Sequence, residues 1–358
     1  MASKRSEFFL GGISPNGFVN HFKKEIEKKE NFTYILKGGE SIGKSIILKD
    51  IADEFKNSDD ITVYYCCENS ETYDAIKLKN AGVIIVNGTC PHTFDPIYLG
   101  VSQKIINLGD YLLSSILEKN ADEIIKTYDE VTQWHSRCRS FVGALSSLYT
   151  DTYSIALEAL DFKKLEAFIE RLSHKILPKG KNEEGKTDYA QLSSLTSNGY
   201  TSLLSTISSY ENVYNISDSF YSGSDTFLRE FASIATSKGY DVIISECTLF
   251  QSHTYEHLII PELSIAFISS NPINGIELSS PKIINFQRFY DKDIISQKKQ
   301  RLFFNKKACD DLLDEAASSL KNAKTVKKKL EGYYSNAINY DKIDKITEDL
   351  IMEIRVKY

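Results

Sequence analysis

The chain has no excess of positive charge, no long apolar run and no paired cysteines, and each absence closes a class of function. Its 43 lysines and arginines are outnumbered by 49 aspartates and glutamates, a formal net charge of −6. That balance argues against a general nucleic-acid binder, which needs a basic stripe to displace counterions from phosphates. The one local concentration of lysine, Lys321 to Lys329, reads as the solvated face of a helix. No apolar run approaches the roughly 20 residues that span a bilayer, and no signal-peptide pattern opens the sequence, so no membrane partner is expected. The six cysteines, Cys66, Cys67, Cys90, Cys138, Cys247 and Cys309, form no C-x-x-C pair and no zinc-type spacing with histidine. Free thiols in a reduced, cytoplasmic protein are the simplest expectation. Cys66 and Cys67 stand at a strand end, where neighbouring side chains point to opposite faces, so one thiol is expected in the core and the other outside. Trp134, in a helical stretch, reads as packing.

What is present is an ordinary apolar fraction, 42%, over 358 residues, enough for two domains with sizeable cores. The chain also repeats itself. Ile13-Ser14-Pro15-Asn16-Gly17-Phe18 returns as Leu195-Thr196-Ser197-Asn198-Gly199-Tyr200, and Thr72-Tyr73-Asp74 returns as Thr254-Tyr255-Glu256. Ile106-Asn107-Leu108 matches Ile284-Asn285-Phe286, and Ala159-Leu160-Asp161-Phe162 matches Ala337-Ile338-Asn339-Tyr340. The order is kept and the offset stays near 180 residues, which means tandem domains rather than a solenoid. The polar stretch Pro178 to Lys186 marks the boundary. In each half a strand leads into a loop and a helix, and two further apolar strands follow. Apolar runs such as Val83-Ile84-Ile85-Val86 fit strands buried on both faces of a parallel sheet. Residues 110–176 and 295–356 read as long helical hairpins that project from the α/β core or cover it. The expected fold is therefore α/β: two tandem domains with parallel sheets, residues 1–180 and 188–358, each closed by a long helical region.

Chemistry concentrates in the first half. Gly38-Gly39-Glu40-Ser41-Ile42-Gly43-Lys44-Ser45 matches the phosphate-binding pattern G-x-x-x-x-G-K-[ST], with Ile46 opening an apolar-periodic helix behind it. Glycines let the backbone N–H groups face a polyphosphate, Lys44 would bridge its β- and γ-phosphates, and Ser45 would offer its hydroxyl to Mg²⁺. ATP with Mg²⁺ is the expected ligand. The matching second-half positions are Asp218, Ser224 and Asp225 in place of Gly38, Lys44 and Ser45, so the second loop is expected to have lost nucleotide binding. The third apolar strand ends in Asn87, where such proteins usually place an acid near Mg²⁺, which predicts slow hydrolysis and a gain on Asn87→Asp. Glu68 and Asp95 are the nearest substitute carboxylates. His92 stands beyond the carboxyl end of the same strand, where open α/β sheets bind ligands.

These residues together resemble a family of bacterial tandem P-loop proteins, called ATPases or nucleotide kinases by similarity. The resemblance rests on Phe9-Leu10-Gly11-Gly12, Lys37-Gly38-Gly39…Gly43-Lys44-Ser45, Gly88-Thr89-Cys90-Pro91-His92…Asp95-Pro96 and Asn107-Leu108-Gly109-Asp110-Tyr111. The family pattern carries an aspartate where this chain has Asn87, and its second half often keeps a phosphate loop. The resemblance implies a P-loop NTPase fold, ATP binding and a cytoplasmic location. A weak or partner-stimulated ATPase leads. A small-molecule or nucleotide kinase with Arg137 and Arg139 as a lid, and a nucleotide-dependent switch or scaffold, stay open, as does a protein partner or a second copy of the chain.

Overall fold

The structure, a computed structural model, describes residues 4–39, 43–90, 92–178, 180–181, 183–250, 253–278 and 281–357. The first half runs β1 (Arg5–Phe9), β2 (Gly12–Ser14), β3 (Gly17–Val19), α1 (Phe22–Ile26), β4 (Phe32–Lys37), α2 (Lys44–Phe55), β5 (Ile61–Tyr65), β6 (Tyr73–Leu78), β7 (Val83–Asn87) and β8 (Gln103–Asn107). Helices α3 (Ser114–Glu118), α4 (Ala121–Glu158) and α5 (Phe162–Ile176) follow. The second half repeats the series: β9 (Thr187–Tyr189), β10 (Ser193–Thr196), β11 (Gly199–Ser202), β12 (Asn212–Ser217), α6 (Ser222–Ser237), β13 (Val242–Cys247), β14 (Thr254–Ile260), β15 (Ile265–Ser270) and β16 (Lys282–Asn285). It closes with α7 (Lys292–Gln297), α8 (Lys299–Ser335) and α9 (Tyr340–Lys357).

One topology is drawn twice. The first sheet has the order β1-β5-β6-β7-β4-β8 and the second β9-β13-β14-β15-β12-β16. Strand directions agree pair by pair, and both sheets carry a register shift at the same place, between the fifth and sixth strands of the first half and their counterparts β13 and β14. The short sequence matches turn out to do the same local work. Ser14 and Thr196 each donate a hydroxyl to the carbonyl of a glycine three residues on, closing a hairpin turn. Asn107 and Asn285 each cap a 3-10 turn, and Asp161 and Asn339 cap α5 and α9 through the N–H three residues later.

The sheets are mixed, which corrects the expectation of wholly parallel ones. Strands β4, β7 and β8 are parallel, but β5, β6 and β7 form an antiparallel meander. The sequence conceals β6, Tyr73-Asp74-Ala75-Ile76-Lys77-Leu78, because its polar residues interrupt the apolar run. Asp74 and Lys77 remain inside it since Asp74 bonds to His92 and Lys77 pairs with Glu25.

The long helices cover the sheets in exchange. Helices α4 and α8 lie antiparallel: Asp151 pairs with Arg301 at one end and Tyr128 meets Tyr334 at the other. Helix α5, from the first half, buries Leu165 and Ile169 against Phe227, Leu228 and Phe231 of α6. Helix α9, from the second half, buries Ile343, Leu350 and Ile354 against Ile47, Leu48 and Ile51 of α2. Each such side chain contributes about 1.5–3 kcal/mol by leaving water, so each sheet owes part of its core to the other half's sequence. Among the described residues no helix is long and apolar enough to cross a membrane.

Candidate functional site

Helix α2 starts where the phosphate-loop pattern ends. Gly43 precedes it with a left-handed φ of 63°, a conformation that glycine adopts without strain. A Cβ there would meet only Ile343 at 3.5 Å, so the need for glycine is conformational rather than steric. Lys44 is the first helical residue, is buried, and donates from Nζ to the Gly39 carbonyl at 2.6 Å. Ser45 Oγ accepts from the Tyr73 N–H at 2.9 Å, tying α2 to the start of β6. Glu40, Ser41 and Ile42 lie outside the described residues. Gly38 and Gly39 lead out of β4, and Ile46 lies half exposed on the rim.

The start of α2 opens into a cleft of about 350 Å³. Gly43, Lys44, Ser45 and Ile46 form one wall, and Glu68, Asp74, Asn87 and His92 line it from the ends of the neighbouring strands. The opposite wall comes from the other half of the chain: Lys324, Lys327, Lys328 and Glu331 of α8. The lysine run read as solvated thus turns one face toward this cleft. The spacing i, i+3, i+4, i+7 could have announced that shared face, but nothing in it says what the face meets.

The charges are paired across the two halves. Lys327 Nζ reaches Glu68 Oε2 at 2.9 Å, and Lys324 Nζ donates to Asn69 Oδ1 at 2.9 Å. Burial alone would raise the Glu68 carboxyl; the positive Lys327 and the hydrogen-bonded His135 overcome it and hold the group well below the usual carboxylate range. Asp74 is the carboxylate that sequence reasoning passed over. It is buried, binds His92 Nε2 at 2.8 Å through one oxygen and accepts from Asn87 Nδ2 at 3.1 Å through the other. Burial pushes its pKa up, but His92, Asn87 and Cys66 outweigh that and lower it. The recurrence of an acid after Thr-Tyr in both halves was the available signal.

Asn87 does two jobs. Its Nδ2 orients Asp74, and its Oδ1 accepts from the N–H and hydroxyl of Thr89, closing the turn after β7. Asp95 is not brought to the cleft: it is exposed and pairs with Lys37 at 3.0 Å. Arg137 and Arg139 lie on the exposed side of α4 and do not line it. Of the thiol pair, Cys67 is buried and Cys66 half buried. The arrangement offers a helix N-terminus and an ammonium to an anion, and a hydroxyl with two carboxylates to a hard cation.

The matching place in the second half is filled from within. Asp218 is buried and accepts from the N–H groups of Phe220 and Ser224, at 3.0 and 2.8 Å, and from the Tyr290 hydroxyl at 3.0 Å. The Tyr290 oxygen in turn accepts from the Gly223 N–H. Asp225 accepts from the Tyr255 N–H at 2.7 Å, the bond that Ser45 makes to Tyr73, and also binds Arg229 and the Tyr153 hydroxyl.

Comparison of the chain with family models, with curated proteins and with solved structures returned no match.

Proposed function

We propose that the cleft at the start of α2 binds ATP as its Mg²⁺ complex, and that the chain is a P-loop ATPase of low intrinsic or partner-stimulated turnover with one nucleotide site. The observation that carries this reading is the cleft itself. The glycine–lysine–serine end of the loop pattern, with Lys44 buried at the first turn of α2, faces three lysines supplied by α8 of the other half. Lys44 and the helix N-terminus would hold the β- and γ-phosphates. Ser45, Glu68 and Asp74 are the oxygen donors suited to the ion and its waters. Among the described residues the carboxylates nearest Asn87 are engaged, Asp74 by His92 and Glu68 by Lys327, and this favours slow turnover. A polyphosphate competing with Glu68 for Lys327 would pull on α8, which supports coupling between nucleotide and the two halves. Such a switch agrees with the resemblance to tandem P-loop proteins. The kinase reading has less support, because Arg137 and Arg139 are exposed and do not line the cleft.

Calorimetric titration with ATP–Mg²⁺ tests the proposal. One nucleotide per chain is expected, and Lys44→Ala should weaken binding about a hundredfold, or about 2.7 kcal/mol, with the melting temperature kept. Equal affinity in the folded variant would remove the nucleotide reading.

A further inference from the structure

We propose that Cys66, Asp74 and His92 form a binding site for a borderline divalent transition-metal ion, zinc by preference, at the edge of the cleft that Asp74 and His92 line. The three residues come from separate segments, the end of β5, the start of β6 and the turn after β7. The sheet brings one sulfur, one carboxylate oxygen and one imidazole nitrogen within 4.8 Å of one another. Zinc bonds of about 2.0–2.3 Å place tetrahedral donors roughly 3.3–3.8 Å apart, so closure requires side-chain movements of no more than about 1 Å. No local sequence spacing encodes this set; strand order does.

The surroundings are those of a ligand set. Asn87 Nδ2 holds the second oxygen of Asp74, an outer partner of the kind that fixes a coordinating carboxylate. The His92 ring is buried, with the Phe18 ring edge-on at 4.3 Å. Its Nδ1 has no hydrogen-bond partner among the described residues although the ring is only 3% exposed. A ring nitrogen that carries no proton offers the metal its lone pair. The thiol releases a proton on binding. Burial pushes Cys66 well above the ordinary thiol range, so the group is a thiol without metal. Coordination replaces its proton with a sulfur–metal bond and the proton passes to solvent, with no change of oxidation state. Sulfur with imidazole selects zinc-like ions over Mg²⁺ and Ca²⁺, which require oxygen.

The second half supplies an internal control. Cys247 and Glu256 stand at the positions of Cys66 and Asp74, but Asn274 takes the part of His92 and donates an amide N–H to Glu256. An amide nitrogen is no metal ligand, so the site is confined to the first half. The inference does not depend on the nucleotide reading.

Cobalt titration of the metal-free full chain, followed by absorption, tests it. One Co²⁺ per chain should bind with a thiolate-to-cobalt charge-transfer band and tetrahedral visible bands, both abolished by one equivalent of Zn²⁺. The band should vanish in Cys66→Ser and persist in Cys90→Ser, which removes the exposed thiol nearby. His92→Asn, which copies the second half and so preserves the fold, should weaken cobalt at least tenfold at an unchanged melting temperature. Absence of the sulfur band in the folded wild-type chain, its persistence in Cys66→Ser, or unaltered cobalt binding by His92→Asn overturns the proposal.

Discussion

At the start of α2 the last residue before the helix is a left-handed glycine and the first within it a lysine. At the start of α6 the left-handed residue is Tyr221, at φ 66°, and a carboxylate from the loop is folded back onto the helix N-terminus. The second loop spans 218–221, against 38–43 in the first, because α6 begins earlier relative to its strand. Asp218 puts its own negative charge where helix N–H groups invite an anion. A bulky residue held left-handed costs on the order of 1–3 kcal/mol, and Tyr221 is kept there by packing against Tyr149 and Phe250. The facing helices follow the same divergence. Helix α8 presents lysines to the first loop, whereas α4 presents Tyr153 to Asp225 of the second. One frame therefore holds either an open cationic cleft or a closed, self-neutralised junction. Only a few side chains separate the two, while the bond from the first helical turn to the sixth strand survives as Ser45–Tyr73 in one half and Asp225–Tyr255 in the other.

The exchange of C-terminal helices offers the strongest way to break the comparison. Ile343 of α9 and Leu165 of α5 occupy matching buried places, so truncating either to alanine should cost about 2–4 kcal/mol in denaturant melts. Only Ile343 lies against Gly43, so only Ile343→Ala should also weaken ATP–Mg²⁺ binding. Equal binding losses in both variants would mean that α9 stabilises the fold without shaping the loop.

The matched acids Asp74 and Glu256 titrate in opposite directions. Burial pushes Glu256 up to about 7, despite its hydrogen bond from Tyr200, whereas Asp74 is lowered. A carboxyl raised in the folded state keeps its proton while the unfolded chain loses one. Its contribution is fully present below the ordinary value of 4.5 and is lost as pH rises toward 7. Glu256→Gln should remove that loss, gaining up to roughly 3 kcal/mol on the wild type between pH 4.5 and 7. Urea unfolding at a series of pH values checks it, and parallel curves for the two proteins would show that Glu256 is ionised when folded.

Asn87→Asp sharpens the site more gently. It replaces a donor to Asp74 with a second carboxylate, so stability should fall by about 1–2 kcal/mol without metal and recover on adding a divalent cation. That places a cost before the gain in turnover expected from sequence. Thermal melts with and without Mg²⁺ measure it, and an unchanged melting temperature would separate Asn87 from Asp74. The smallest effect belongs to Ser224→Ala. Ser224 Oγ donates to the Tyr221 carbonyl and also interacts with Asp218, both within the closed junction, so nucleotide affinity and stoichiometry should not move. A second bound nucleotide, sensitive to this residue, would reopen the second loop.

Much of the frame was legible because it is local. Turn, cap and strand residues act on backbone groups a few positions away, and this is why matches as short as Asn16-Gly17 and Asn198-Gly199, or Asp161 and Asn339, found real counterparts. The loop pattern located the start of α2 for the same reason. Strand β6 escaped because its Asp74 and Lys77 break the apolar pattern that marks a buried strand, and they are tolerated there only through partners distant in sequence. The parallel-sheet expectation failed with it.

The sequence by itself determined the repeat, the α/β class, the glycine and lysine at the first helix start and the acidic substitutions at the second, since these depend on residue type and short spacing. Only the tertiary structure decided that α5 and α9 cross to the opposite sheets, that α8 turns its lysines toward Glu68, and that Cys66, Asp74 and His92 converge. Those contacts join residues from separate elements, from eight to more than two hundred positions apart. Burial makes them decisive, because a charge or a thiol removed from water depends on whichever partner the folded chain places beside it.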